Sequence, residues 1–251
     1  MNKLYIKSEL CFSLIFIVIY IIGTSVANAL SNIVGINNVF TLPFLLALSL
    51  LLFFWIKKNN FLKKYGLCKP IYKSKYFIFY IPLLVLISTN FWLGINVNVN
   101  FLNCLLSILT MFCVGFVEEI IFRGFLFKAL SKNNVKSAII ISSTTFGVGH
   151  LVNLFSSGLD NLLPNICQVF YAMAVGFLFV IMFHKGGSLI ACIVTHALVN
   201  AFSVFQNTQM LNSTNEILIS TSIIIISILY SMTLLKTLNS NNQSTLQNKN
   251  E

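Results

Sequence analysis

Long apolar runs alternate with short polar breaks along almost the whole chain. A run of about 20 apolar residues crosses a bilayer as a helix, and eight such runs can be marked. They are Leu10–Leu30, Val39–Ile56, Tyr76–Ile95, Phe101–Phe122, Ser137–Phe155, Leu163–Phe183, Ser188–Phe205 and Ile217–Leu235. The sixth and seventh are separated only by His184-Lys185-Gly186-Gly187. Ala27-Asn28-Ala29 resembles a signal cleavage site, but the preceding apolar run is long for a signal core, so the first run reads as a span. The pattern predicts an all-α, polytopic membrane bundle of about eight helices. Residues 1–238 form a single integral-membrane domain in this reading, and 239–251 a disordered polar cytosolic tail.

Composition agrees with the pattern. The chain has 251 residues, of which 57% are hydrophobic and 9% charged, against roughly 25% charged in a soluble domain. The net charge of +10 does not indicate nucleic acid, because the lysines flank the spans instead of forming a patch. Lys3 and Lys7 precede the first span, and seven lysines from Lys57 to Lys75 lie between the second and third. Lys128, Lys132 and Lys136 follow the fourth, Lys185 lies between the sixth and seventh, and Lys236 and Lys249 end the chain. With an even number of spans all of these share one side, which the positive-inside rule makes the cytosol. The opposite loops carry only Asp160 and Glu216. Both termini are therefore expected in the cytosol of a bacterial cell, the protein being multi-pass in its plasma membrane.

The segment Lys57–Lys75 mixes Phe61, Leu62, Tyr65 and Leu67 with its lysines. It reads either as a solvated loop or as a segment lying on the anionic inner leaflet. Six cysteines (Cys11, Cys68, Cys104, Cys113, Cys167 and Cys192) show no Cys-x-x-Cys spacing and read as free thiols. No internal repeat of the kind common in transporters is visible.

Against this apolar background, Glu118-Glu119-Ile120-Ile121-Phe122-Arg123 stands out. Ionisable groups in the bilayer are costly and mark functional sites. Glu119 and Arg123, four apart, face each other on a helix. Glu118 lies about 100° further round and needs a different partner. His150 and His196 also fall within spans, whereas His184 reads as a span-end residue. His196 and Asn200 share one helical face, as do Phe146 and His150, with Gly147 and Gly149 between them. At 1.5 Å per residue, Glu118 lies about 15 Å, His150 about 21 Å and His196 about 12 Å from the lysine-bearing boundary. These depths agree with one shared intramembrane site, expected to be reached from the cytosol.

Two carboxylates, two histidines and an amide suit peptide hydrolysis, which needs an activated water and donors for the developing oxyanion. Glu118 and His150 are placed to activate water. His196 and Asn200 are placed to hold the tetrahedral intermediate, with Glu119 and Arg123 supporting. Glu118, His150 and His196 are also ordinary zinc ligands, although His-Glu-x-x-His is absent, and the spacing leaves metal against no metal open. Ser142, Ser143, Thr144 and Thr145 precede Phe146 without a nucleophile motif, and such hydroxyls usually bond their own backbone.

Glu118-Glu119-x-x-x-Arg123-Gly124, Phe146-x-x-x-His150 and His196-x-x-x-Asn200 resemble the three motifs of the CAAX-protease and bacteriocin-processing family, also called the Abi or type II CAAX protease family. The likeness covers roughly 101–205. It implies an intramembrane endopeptidase with a site opening toward the cytosol. It also implies that Glu118 and His150 activate water, that His196 and Asn200 form the oxyanion hole, and that Glu119 and Arg123 support them. The family is often labelled metalloprotease. A metal-independent glutamate mechanism fits its architecture better, so no cofactor is expected, with zinc the alternative. The implied partners are the lipid bilayer and a peptide precursor or membrane-protein substrate, in bacteriocin or pheromone maturation or in self-immunity.

Two other classes fit the same residues less well. A non-catalytic immunity or binding protein has no need to keep charges in lipid. An ion-coupled transporter would show repeated halves or discontinuous helices, and neither is visible in the sequence.

Overall fold

The computed structural model describes residues 1–157 and 162–238. The expected loop residue Asp160 and the polar tail 239–251 lie outside the described residues. In chain order the helices are α1 (Asn2–Lys7), α2 (Glu9–Val34), α3 (Thr41–Lys58), α4 (Ile81–Ser88) and α5 (Phe101–Glu118). A π-helical stretch, Glu119–Phe127, continues α5 into α6 (Lys128–Leu130). Then come α7 (Val135–Gly149), α8 (Val152–Ser157), α9 (Leu162–Gly186), α10 (Ile190–Phe202) and α11 (Ser213–Thr237). Among the described residues, seven helical segments are long and apolar enough to cross a membrane, and an eighth, Ile190–Phe205, is shorter. The eight apolar runs of the sequence therefore all appear as helical segments, the seventh being the short one.

Local chemistry sets the ends. Ser8 caps α2 by accepting the Cys11 N–H, and Asn100, Asn134 and Asn212 cap α5, α7 and α11 in the same way. Each satisfies one of the amides that a helix start leaves unpaired. The outside of the bundle is apolar, with Phe54, Leu84, Phe170 and Leu229 more than half exposed, as a lipid-facing surface requires. This is a multi-pass membrane protein.

The third run departs from a plain span. Its first part, Ser74–Tyr80, contains three successive left-handed residues, Ile78, Phe79 and Tyr80, before Pro82 starts α4. A broken helix frees backbone groups that must be paired inside protein. Tyr230 of α11 supplies one such pairing, donating its hydroxyl to the Phe77 carbonyl at 2.7 Å.

The lysine-rich segment 59–73 is tied to the bundle by its backbone, while Lys63, Lys69 and Lys73 remain exposed. It folds back under the bundle. Leu189 N donates to Gly66 O at 2.8 Å, Ile71 N to Gly186 O at 2.9 Å and Ser188 Oγ to Cys68 O at 2.6 Å. Gly66 has a left-handed φ of 70°, and a Cβ there would stand 2.6 Å from the Phe183 ring. Only glycine fits. Tyr65 is 1% exposed and meets Phe125 edge-on at 4.9 Å. Around it, Tyr5, Phe12, Trp55 and Phe61 complete an aromatic cluster across this end of the bundle. Lys64 and Lys132 both reach Glu9, at 2.7 and 3.0 Å. Burial works against the charge on Lys64, but hydrogen bonds to Glu9 and Tyr5 outweigh it and raise its pKa above the ordinary lysine value.

Candidate active site

α5 and α10 pack closely because Gly115 lies against the α10 backbone. A Cβ at Gly115 would come within 2.8 Å of Ala197 N. That approach delivers His196 to the two glutamates one turn further along α5. His196 Nδ1 stands 2.8 Å from Glu119 Oε1, and Nε2 stands 3.3 Å from Glu118 Oε2. One imidazole thus bridges both carboxylates. Arg123 Nη1 lies 3.1 Å from the same Glu119 oxygen, and both side chains are fully buried. The Glu119–Arg123 pair expected from the spacing is present, and it has His196 as a third member.

The partner that Glu118 needed is Tyr20 of α2, whose hydroxyl donates to Glu118 Oε1. The sequence reading missed it. Its only signal was a phenol in the middle of an otherwise apolar span, where a polar tip needs a partner.

The π-helical stretch begins at Glu119, and π-helical turns are frequent at functional sites. Its widened turn carries Glu119 and Arg123 inward. Ser142 of α7 donates to the Phe122 carbonyl at 2.9 Å, across helices, which pairs one carbonyl of this stretch. Ser143 bonds its own helix at Ile139 O, as expected for a hydroxyl in a membrane helix.

Phe146 is the second residue that sequence reasoning left without a role. Its ring lies 3.9 Å from the Arg123 guanidinium carbon, a cation–π contact, and edge-on to both His150 and His196 at 5.0 and 5.7 Å. Arg123 is accommodated because residue 176 is glycine; a Cβ there would meet Arg123 Nη2 at 3.1 Å and the Phe146 ring at 3.3 Å. Gly147 lets α7 close on α9, with Val169 O 2.7 Å from a hypothetical Cβ, whereas Gly149 has nothing within 4 Å. Only the first of the two motif glycines is a packing residue.

His150 ends α7, with Nδ1 3.0 Å from the Phe146 carbonyl. It faces a cavity of about 460 Å³ that Glu118 and Asn200 also line. A smaller adjoining space of about 90 Å³ touches His150, His196 and Asn200. The four residues expected to act together are therefore gathered at one place, two on the carboxylate side and two on the helix ends facing it. His184 sits at the end of α9 against Phe127, away from this site. Among the described residues, no three His, Cys, Asp or Glu groups are arranged to hold a metal ion.

An apolar helix bundle that encloses carboxylates, an arginine and imidazoles around an internal cavity is an integral membrane protein with a buried polar site. Residues 100–202, which hold all three motifs, match the family model described as type II CAAX prenyl endopeptidase Rce1-like. That stretch is similar to the CAAX-protease family expected from the motifs, a family of proteases. The chain matches no curated protein and no solved structure.

Proposed function

We propose that the chain is an intramembrane endopeptidase of the glutamic type, acting on a peptide precursor or a membrane protein in the bacterial plasma membrane. The observation that carries the reading is that Glu118, His150 and Asn200 line one cavity, with Glu118 gripped from behind by Tyr20 and His196.

In this mechanism a water between Glu118 and His150 gives its proton to the Glu118 carboxylate as its oxygen adds to the scissile carbonyl carbon. Such proton transfer contributes about 10²–10⁴-fold. The carbonyl oxygen becomes an oxyanion, received by the Asn200 amide and by an N–H at His196 Nε2. The Nε2 contact to Glu118 is long, so a substrate oxyanion can take it over. Glu118 then returns the proton to the amide nitrogen, the C–N bond breaks, and a carboxylate and an amine leave. Glu119, fixed by Arg123, keeps the His196 ring in place. No step runs through a metal.

The role is maturation of an exported peptide such as a bacteriocin or pheromone, or self-immunity. The test compares peptide termini in membrane and medium fractions from cells carrying wild type or Glu118→Gln at matched protein levels. New termini that depend on Glu118 establish proteolysis and identify the substrate. Identical termini, with an immunity phenotype that survives the substitution, would replace this reading with a binding role.

A further inference from the structure

The cavity opens on the face opposite the lysines. Its lining beyond the catalytic residues comes from the helix ends remote from the lysine-bearing segments: Asn28 of α2, Thr41 of α3, Asn153 beyond α7, Ser203 and Gln206 beyond α10, and Glu216 of α11. Ser203 and Asn28 are exposed there. At the other end, the docked segment 59–73 and the aromatic cluster around Tyr65 fill the bundle. Two independent features, a lined mouth at one end and a packed floor at the other, define the same direction of access. This direction differs from the access from the lysine-bearing side that depth suggested and the family resemblance implied.

The charge at the mouth has one sign. Glu216 lies on the wall and Glu118 at the base, and among the described residues no lysine or arginine lines the cavity, although the chain as a whole carries a net charge of +10. No ion pair engages Glu216 among the described residues. The remaining polar lining is amide and hydroxyl, together with the His150 imidazole. A cleft walled by one sign of charge in a low-dielectric surround concentrates the opposite sign.

We infer that the substrate enters from the outer face of the membrane, as a peptide segment carrying a cationic side chain or a free amino end, with Glu216 as its recognition residue. The cationic segments of the enzyme lie on the cytosolic side by the positive-inside rule, so the mouth lies outside. Calling the occupant a substrate rests on the endopeptidase reading; the direction and sign of the cavity do not. An exported peptide or the outward end of a membrane protein would meet this mouth directly.

The experiment labels single introduced cysteines in intact cells with membrane-impermeant thiosulfonates, scored thiol by thiol through peptide mass spectrometry so that native cysteines are separated. Ser203→Cys reports on the mouth and Lys73→Cys on the lysine-bearing segment, each in the full chain and at matched protein levels. The expected result is that Ser203→Cys reacts in intact cells, while Lys73→Cys reacts only after permeabilisation. The reverse pattern overturns the direction. Next, the trimethylammonium reagent is compared with the sulfonate reagent at Ser203→Cys, each normalised to a free thiol. The cationic reagent is expected to be favoured, and adding Glu216→Gln to reduce that preference by about three- to tenfold. A preference unchanged by Glu216→Gln overturns the recognition role. Labelling needs no turnover, so it stands or falls separately from the comparison of peptide termini.

Discussion

Tyr20 donates its hydroxyl to Glu118 across 98 residues of sequence, joining the first long helix to the fourth apolar run. Without that phenol one oxygen of a buried carboxylate would lose its donor. Leaving a buried charged acceptor short of a hydrogen bond costs about 1–3 kcal/mol or more. Tyr20→Phe keeps the ring and removes only the donor. We expect kcat to fall by about tenfold or more with KM little changed, because the base is displaced while the binding surface is not. Steady-state kinetics on the identified substrate would check this, and a loss confined to KM would assign Tyr20 to binding.

Asn200 shares the cavity with Glu118 and His150. If it receives the oxyanion, Asn200→Ala should lower kcat by about 10²–10³ while the protein accumulates and melts as wild type does. Wild-type turnover in this variant would remove Asn200 from the mechanism.

The Glu119–Arg123–His196 group is fully or almost fully enclosed. Removing one member of a buried ion pair typically costs about 3–5 kcal/mol. Arg123→Gln should therefore reduce the thermal stability of the detergent-solubilised protein sharply. Arg123→Lys should recover only part of it, since a lysine ammonium cannot lie flat on the Phe146 ring as the guanidinium does. Equal melting of wild type and Arg123→Gln would show the group to be dispensable for the fold.

Gly115 determines how near α10 comes to α5. Gly115→Val inserts atoms where a Cβ alone is already 2.8 Å from Ala197 N. Overpacking of this kind costs about 1–3 kcal/mol, and here it also withdraws His196 from both glutamates. Activity should disappear even in preparations that remain folded, which circular dichroism and a peptide-release assay can separate.

A chelator distinguishes the glutamic mechanism from the zinc alternative. Prolonged dialysis against a strong chelator should leave peptide release unchanged. Loss of activity, restored by added zinc, would return Glu118, His150 and His196 to the role of ligands.

Much of this architecture is legible in the sequence. The apolar runs marked the helical segments, and the lysines marked one common end. The charged and imidazole residues were conspicuous because lipid tolerates few of them. What periodicity could not supply was the rotation of one helix against another. It put Glu119 beside Arg123, four residues away on one helix, but could not show that His196 reaches both glutamates, or that Tyr20 reaches Glu118 from α2. Phe146 was visible as a motif letter only. Its contact with Arg123 depends on Gly176, a residue on a third helix. Depth along a helix was also readable, whereas the side on which the cavity opens depended on how segment 59–73 folds back. Nothing in the composition of that segment distinguishes a docked loop from a free one.

The packed floor made by Tyr65 and its aromatic neighbours has a consequence for turnover. A bundle closed at one end is a cup and not a conduit, so nothing crosses it from face to face. On the proposed endopeptidase reading, both halves of a cut peptide leave by the mouth through which the whole one came. In that reading departing fragments and arriving chains share one doorway, so product release is a step that faster chemistry at Glu118 would not speed.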